Sequence, residues 1–220
     1  MLLALGAAGI ARAQNAPTPQ EVRIYAGLHE AAAKGDVAEI ERLIAEGERP
    51  NIQDSKSRTP LHVAAYFKHH AAARALLKLG ANPNALEIDK YDIITIASVA
   101  NDIEMLKVAI EGGASARNIT SRYDGTALIA AAHLGHAEVV RILIAAKAPL
   151  NHVNNLGWTA LMESIVLGNG GTNHTNTLKA LVEAGADVNI PDRQGITPLS
   201  HARRRGYSEM ARVLEMAGAR

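Results

Sequence analysis

The chain has 220 residues, 48% of them apolar and 20% charged, with a formal net charge of +1. That balance supports a buried core and excludes a disordered polymer, and it shows no clustered basic face of the kind a nucleic-acid partner selects. Cysteine is absent, which removes a disulfide framework, a thiolate metal site and a thiol nucleophile.

The first element in chain order is an apolar run from Leu2 to Ala11, then Ala11-Arg12-Ala13 and the polar stretch "QNAPTPQ". A bilayer span needs roughly 20 residues. A shorter run ending in an A-x-A pattern fits the core of an export signal, although no basic residue precedes it. Residues 1–13 are therefore expected to be a signal peptide and residues 14–24 a linker. Cleavage after Ala13 leaves 22 basic and 22 acidic residues, zero net charge, and no membrane span.

From Leu28 the chain repeats itself. "LHEAAAKGDVAEIERLIAEGERPN" is followed by five aligned motifs: "RTPLHVAAYF" at Thr59, "YDIITIASVA" at Asp92, "GTALIAAAHL" at Thr126, "WTALMESIVL" at Thr159 and "ITPLSHARRR" at Thr197. The intervals are 33, 34, 33 and 38 residues, and a glycine ladder at Gly80, Gly113, Gly185 and Gly218 keeps step. In Thr59-Pro60 a capping residue precedes proline at the first helical position, where a missing N–H costs nothing. Leu61, Ala64 and Ala65 then make an apolar stripe, and Val139, Val140, Leu143 and Ile144 mark a second short amphipathic helix. Glycine just after such helices suits a left-handed C-terminal cap. With aromatics at only 3%, the core is expected to be Ala, Leu, Ile and Val. Two helices of this length cannot bury their faces alone, so the units must stack.

These motifs resemble ankyrin repeats, from Leu28 to Arg220. "TPLH" at Thr59–His62, "GHAEVVRILI" at Gly135–Ile144 and "AGADVN" at Ala184–Asn189 carry the likeness most clearly. The resemblance implies an all-α ankyrin-repeat solenoid over 25–220, built of helix-turn-helix units with short hairpin-like finger turns. Its units would be 25–53, 54–86, 87–120, 121–153, 154–191 and 192–220. The whole is similar to an exported bacterial-type ankyrin repeat protein, periplasmic or secreted. Asp92-Ile93-Ile94-Thr95 departs most from the family pattern, so that unit is expected to be locally irregular. Arg203, Arg204 and Arg205 fall where inner units carry apolar residues, as a polar terminal cap requires.

The unit from Thr159 to Gly185 spans 26 positions, against 21 in the three preceding full units. The surplus lies in "GNGGTNHTN", Gly168 to Asn176. A phosphate loop would need a Gly-Lys-[Ser/Thr] ending after a strand, and His174 alone lacks metal partners. The stretch is expected to be a lengthened turn, with Thr175 or Asn176 capping the next helix.

The nine histidines include His133 with His136 and the adjacent His69-His70, but they show no repeated ligand spacing. No nucleophile motif or paired carboxylates stand out. No cofactor is expected and no enzyme. The resemblance implies instead a partner-binding concave face made by the finger turns and the exposed side of each first helix. Carried over position by position, that face holds Lys56, Arg58, Tyr66 and Phe67. It continues through Tyr91, then Arg122, Tyr123, His133 and Leu134. Leu156, Trp158 and Leu167 follow, and Arg193 and Ile196 end it. Five of the seven aromatic side chains fall on these positions, and Trp, Tyr and Arg dominate binding hot spots. The expected function is non-catalytic binding of an unidentified protein partner by a monomer, with no nucleic acid. The alternatives are an effector delivered to a host cell and a histidine-based metal-binding protein.

Overall fold

The computed structural model describes residues 16–220, so the expected signal peptide at 1–13 lies outside the described residues. The chain divides into two compact units, one running through Ser115 and one beginning at Ala116.

The first unit holds α1 (Pro19–Ile24), α2 (Gly27–Lys34), α3 (Val37–Ala45), α4 (Pro60–Tyr66), α5 (His70–Lys78), α6 (Ile93–Val99) and α7 (Ile103–Glu111). Apart from α1, these are hairpin pairs: α2 packs on α3, α4 on α5 and α6 on α7. First helices stack α2–α4–α6 and second helices α3–α5–α7. The second unit repeats the plan with α8 (Ala127–Leu134), α9 (Ala137–Ala145), α10 (Ala160–Val166), α11 (Thr172–Glu183), α12 (Pro198–Arg204) and α13 (Ser208–Met216). Here α8–α10–α12 and α9–α11–α13 form the two layers. No strand occurs among the described residues; Thr120 and Gly125 form an isolated antiparallel bridge.

The core follows the repeat. The third residue of each opening motif (Leu61, Ile94, Leu128, Leu161, Leu199) is buried, as is Leu28 in the first pair. Small residues on the first helices, such as Ala64, Ala97, Ala131 and Ala202, are buried too and let neighbouring helices approach closely.

Two expectations are corrected. Within the expected linker at 14–24, residues 19–24 are helical. Thr18 and Glu21 form a reciprocal capping box that starts α1, and Glu21 reaches the buried Arg58 guanidinium at 2.8 Å. The unit opened by Asp92 is not irregular in its helices either. The Asp92 carboxylate accepts from Thr95 N–H at 2.8 Å and from its hydroxyl at 2.7 Å, replacing the usual threonine cap.

The histidines of this fold tie repeats together. His62 Nδ1 accepts from Thr59 N–H at 3.0 Å, which makes Nε2 the protonated nitrogen, and Nε2–H donates to the carbonyls of Ala85 and Tyr91 in the next finger. His29 Nε2 contacts the Arg58 carbonyl in the same way. Burial pushes the His62 imidazole down to about 4. An unfolded chain protonates this histidine near its ordinary value of 6.5, whereas the folded chain resists until about 4. Stability from this site is therefore complete above pH 6.5 and falls as pH drops from 6.5 toward 4. The loss should reach roughly 2–4 kcal/mol at about 1.4 kcal/mol per unit. Urea unfolding across that range should show the slope in the wild type and a shallower one in His62→Gln, which keeps an acceptor for Thr59. Equal slopes would show that His62 does not titrate differently on unfolding.

Candidate functional site

The first helices α4, α6, α8, α10 and α12 each follow a finger turn, and four of these fingers are built by one recurring device. The Asp54 carboxylate Oδ1 accepts from the N–H groups of Lys56 and Arg58 at 2.8 and 2.9 Å. Glu87 Oε1 does the same for Asp89 and Tyr91, Asn154 Oδ1 for Leu156 and Trp158, and Asp192 Oδ1 for Gln194 and Ile196. A side-chain acceptor two and four residues ahead of these N–H groups closes the turn and satisfies donors that no sheet partner reaches. The finger at Thr120–Gly125 carries one residue more and uses Ser121 Oγ instead, at 3.3 and 3.4 Å. That extra residue accounts for the one interval of 34 among intervals of 33.

Adjacent fingers are then laced together within each unit. In the first, Ile88 N–H donates to the Lys56 carbonyl at 2.9 Å. In the second, Asn155 N–H donates to the Tyr123 carbonyl and Asn155 Nδ2 to that of Arg122, while Arg193 Nη2 donates to the Asn155 carbonyl. The finger tips are thus held before any partner arrives.

Below the fingers, polar chains fix the first helices. His133 Nδ1 pairs with Glu163 Oε2 at 3.0 Å, and Glu163 Oε1 accepts from Asn154 Nδ2 at 2.8 Å. His201 Nε2 pairs with Asp192 Oδ2 at 2.7 Å. Burial works against the Asp192 carboxylate, but the bonds from His201 and from Ile196 and Gln194 hold it below the usual range.

The proposed face residues divide accordingly. Arg122, Tyr123 and Arg193 are exposed, while Lys56, Phe67, Leu134, Leu156, Trp158, Leu167 and Ile196 are half-buried with surface left to offer. Arg58, Tyr91 and His133 are buried and are removed from the contact set. Arg58 is 1% exposed because it bridges Asp54 at 2.7 Å and Glu21 at 2.8 Å. Tyr91 supplies the carbonyl that His62 grips, and His133 belongs to the Glu163 pair. Tyr66 is half-buried, but its hydroxyl points inward and has no hydrogen-bond partner; burial and the nearby Glu87 charge push the phenol up. Glu87 Oε2 is likewise buried without a partner, and burial raises its carboxyl.

Sequence reading missed the finger acceptors Asp54, Glu87, Asn154 and Asp192. Their signal was a polar residue seven positions after the residue that closes the turn behind each preceding second helix, at Gly47, Gly80, Lys147 and Gly185. The histidines do not converge on a metal: among the described residues no three His, Asp or Glu side chains gather with ligand geometry. His69 contacts the Ala33 carbonyl, His70 the Asp102 carboxylate, His152 the Asp124 carbonyl and His174 the His133 carbonyl. Each spends a ring nitrogen on another part of the fold. Among the described residues no helix is long and apolar enough to cross a membrane.

Comparison with known proteins agrees with this architecture. The family description "Ankyrin repeats (3 copies)" matches residues 28–115 and 93–192, and "Ankyrin repeats (many copies)" matches residues 171–215. The ankyrin repeat protein YahD of Escherichia coli K12 is 32% identical over 190 residues, covering 86% of this chain and 94% of its own. An ankyrin repeat domain of Acinetobacter baumannii superposes with a TM-score of 0.84 at 42% identity, over 88% of this chain and 98% of that one. The ankyrin repeat domain of Bcl-3, of the IκB family, gives 0.80 at 26% identity, over 90% and 88%. Such arrays are general protein–protein interaction modules and typically non-catalytic scaffolds. The chain is an all-α ankyrin-repeat solenoid and belongs to the ankyrin repeat family.

Proposed function

We propose that this chain is a non-catalytic, monomeric module that binds a protein partner through its concave face, formed by finger turns and first helices, in the periplasm. The observation that carries the reading is that Tyr123 and Trp158 sit in finger turns already fixed by hydrogen bonds and keep part of their surface open. Rigid aromatic side chains on an ordered frame lose little entropy on binding and make strong anchors. The location rests on the apolar run Leu2–Ala11 and the Ala11-Arg12-Ala13 pattern.

The test is in-cell cross-linking with the full-length gene product, beside a variant carrying Tyr123→Ala, Trp158→Ala and Leu167→Ala. Removing two aromatic anchors should cost about 2–4 kcal/mol of binding, enough to empty the cross-linked band. A partner retained at wild-type yield by the folded variant would refute the face. The same sample gives the location: an N-terminus beginning at Gln14 in the periplasmic fraction is expected, and an intact Met1 in the cytoplasm would overturn it.

A further inference from the structure

The near-neutral whole chain conceals an uneven distribution. Residues 16–115 carry 11 basic and 14 acidic side chains, a net of −3, whereas residues 116–220 carry 11 basic and 8 acidic, a net of +3. Within the second unit, Arg193, Arg204 and Arg205 stand in the last finger and at the end of its first helix. His201 points toward its own finger, since it binds Asp192 at 2.7 Å. Arg204, the last residue of α12, and its cap residue Arg205 follow three and four residues on, at the spacing that shares a helix side. Both are exposed, and neither makes an ion pair among the described residues. Arg203 is different: it turns away to Glu215 at 2.6 Å. Arg193 stands on that same last finger, tied to the Asn155 carbonyl of the preceding finger, with further guanidinium donors to spare.

The carboxylates of Glu163 and Asp192 beside this face are already committed. Glu163 spends one oxygen on His133 and the other on Asn154. Asp192 spends its two on His201 and on backbone N–H groups. Asp124 is the exposed acid there. On the repeat that packs against this last one, Trp158 precedes α10 and Leu167 ends it, both half-buried and apolar.

We infer that the second unit selects an acidic peptide segment carrying an apolar or aromatic anchor, the anchor seating at Trp158 and Leu167 and the carboxylates meeting Arg193, Arg204 and Arg205. This rests on the concave-face reading above and names the chemistry of its partner. A nucleic-acid strand fits less well, because it needs a denser row of cations and stacked flat rings, whereas the apolar surface offered here includes the aliphatic Leu167. Guanidinium groups fit paired carboxylate oxygens in geometry as well as charge.

The test is selection of displayed random 12-residue peptides on the full chain, followed by titration of the enriched peptides. Trp158 is the sole tryptophan, so its emission reports directly on the face. Three variants accompany it: Arg193→Ser/Arg204→Ser/Arg205→Ser, Tyr123→Ala/Trp158→Ala read by anisotropy of labelled peptide, and Arg141→Ser/Lys179→Ser/Arg212→Ser. The last removes equal charge from second helices, where these cations pair with Glu138 and Glu209. The expected result is enrichment of Asp and Glu beside an apolar residue. Affinity should fall about 10-fold or more in the face-arginine variant and steeply with salt, and less than about 2-fold in the second-helix control. Peptides without acidic bias that still need Tyr123 and Trp158 would overturn the charge inference and leave the face standing. Peptides indifferent to Tyr123 and Trp158, or no enrichment, would overturn both. Displacement of the peptides by a dT12 oligonucleotide at equal or lower concentration would assign the face to nucleic acid and overturn the inference.

Discussion

Arg58→Ala is expected to lower unfolding stability by about 3–5 kcal/mol, because it removes one member of a buried ion cluster and leaves the others unpaired. The guanidinium is 1% exposed and bonds Asp54 through Nε at 2.7 Å and Glu21 through Nη2 at 2.8 Å. Asp54 Oδ2 also accepts from the Tyr25 hydroxyl at 2.7 Å, and its Oδ1 closes the finger. Burial opposes ionisation of Asp54, yet these bonds hold its carboxyl below the usual range. Without Arg58 that carboxylate loses its main counter-charge, while α1 loses the tie to Glu21. Equilibrium urea unfolding at pH 7 should show the stability loss, and hydrogen exchange should show α1 opening before the repeats. Replacing Arg58 by Met together with Asp54 by Asn should recover part of the loss, since an uncharged site has no orphan to solvate. A loss under about 1 kcal/mol for the alanine variant, with α1 still protected, would show that the cluster contributes little.

Arg58 also marks where sequence reading stops. The period, the helix pairs and the apolar stripe were legible because each repeats: one Leu or Ile at the third position of an opening motif is weak evidence, and five at matching offsets are strong. The face was legible only as positions. Whether a side chain at such a position reaches solvent depends on what the preceding turn offers it. Tyr123 and Tyr91 both come from finger turns, yet one is 41% exposed and the other 7%. The same holds for His133 and Leu134, adjacent on α8, where a carboxylate 30 residues away decides that the histidine turns inward. Such partners depend on register between units, which a single unit's pattern does not encode. The cap at Asp92 failed in the other direction. An unfamiliar motif suggested a local irregularity in that unit, but Asp caps through the same acceptor geometry as Thr, so the departure was chemical and not structural.

The glycine-rich stretch between α10 and α11 shows the same limit and gives the second large expected effect. Its surplus residues are not simply a longer loop, nor do Thr175 or Asn176 cap the helix. α11 begins at Thr172 with Gly171 as its cap residue and runs 12 residues, against 9 for α9. Part of the insertion is therefore an added helical turn, and the rest is compressed against its neighbours. A Cβ on Gly168 would fall well inside contact distance of the Ser164 carbonyl oxygen and 2.8 Å from the His174 ring. The Gly168 carbonyl meanwhile accepts from the Tyr207 hydroxyl at 2.9 Å, and the Tyr207 ring lies on Gly170 so closely that a Cβ there would meet it too. Gly168→Ala thus presses on backbone that cannot swing aside, and should cost about 3 kcal/mol, the upper end for overpacking. It should also release Tyr207 and loosen the α12–α13 pair, visible as faster hydrogen exchange there. Gly171→Ser is the contrast: it adds a side chain where nothing but Asn169 is near, at a position where serine caps well, and should be neutral or slightly stabilising. If thermal unfolding placed the two variants within about 0.5 kcal/mol of each other, close packing would not be what this stretch of glycines serves.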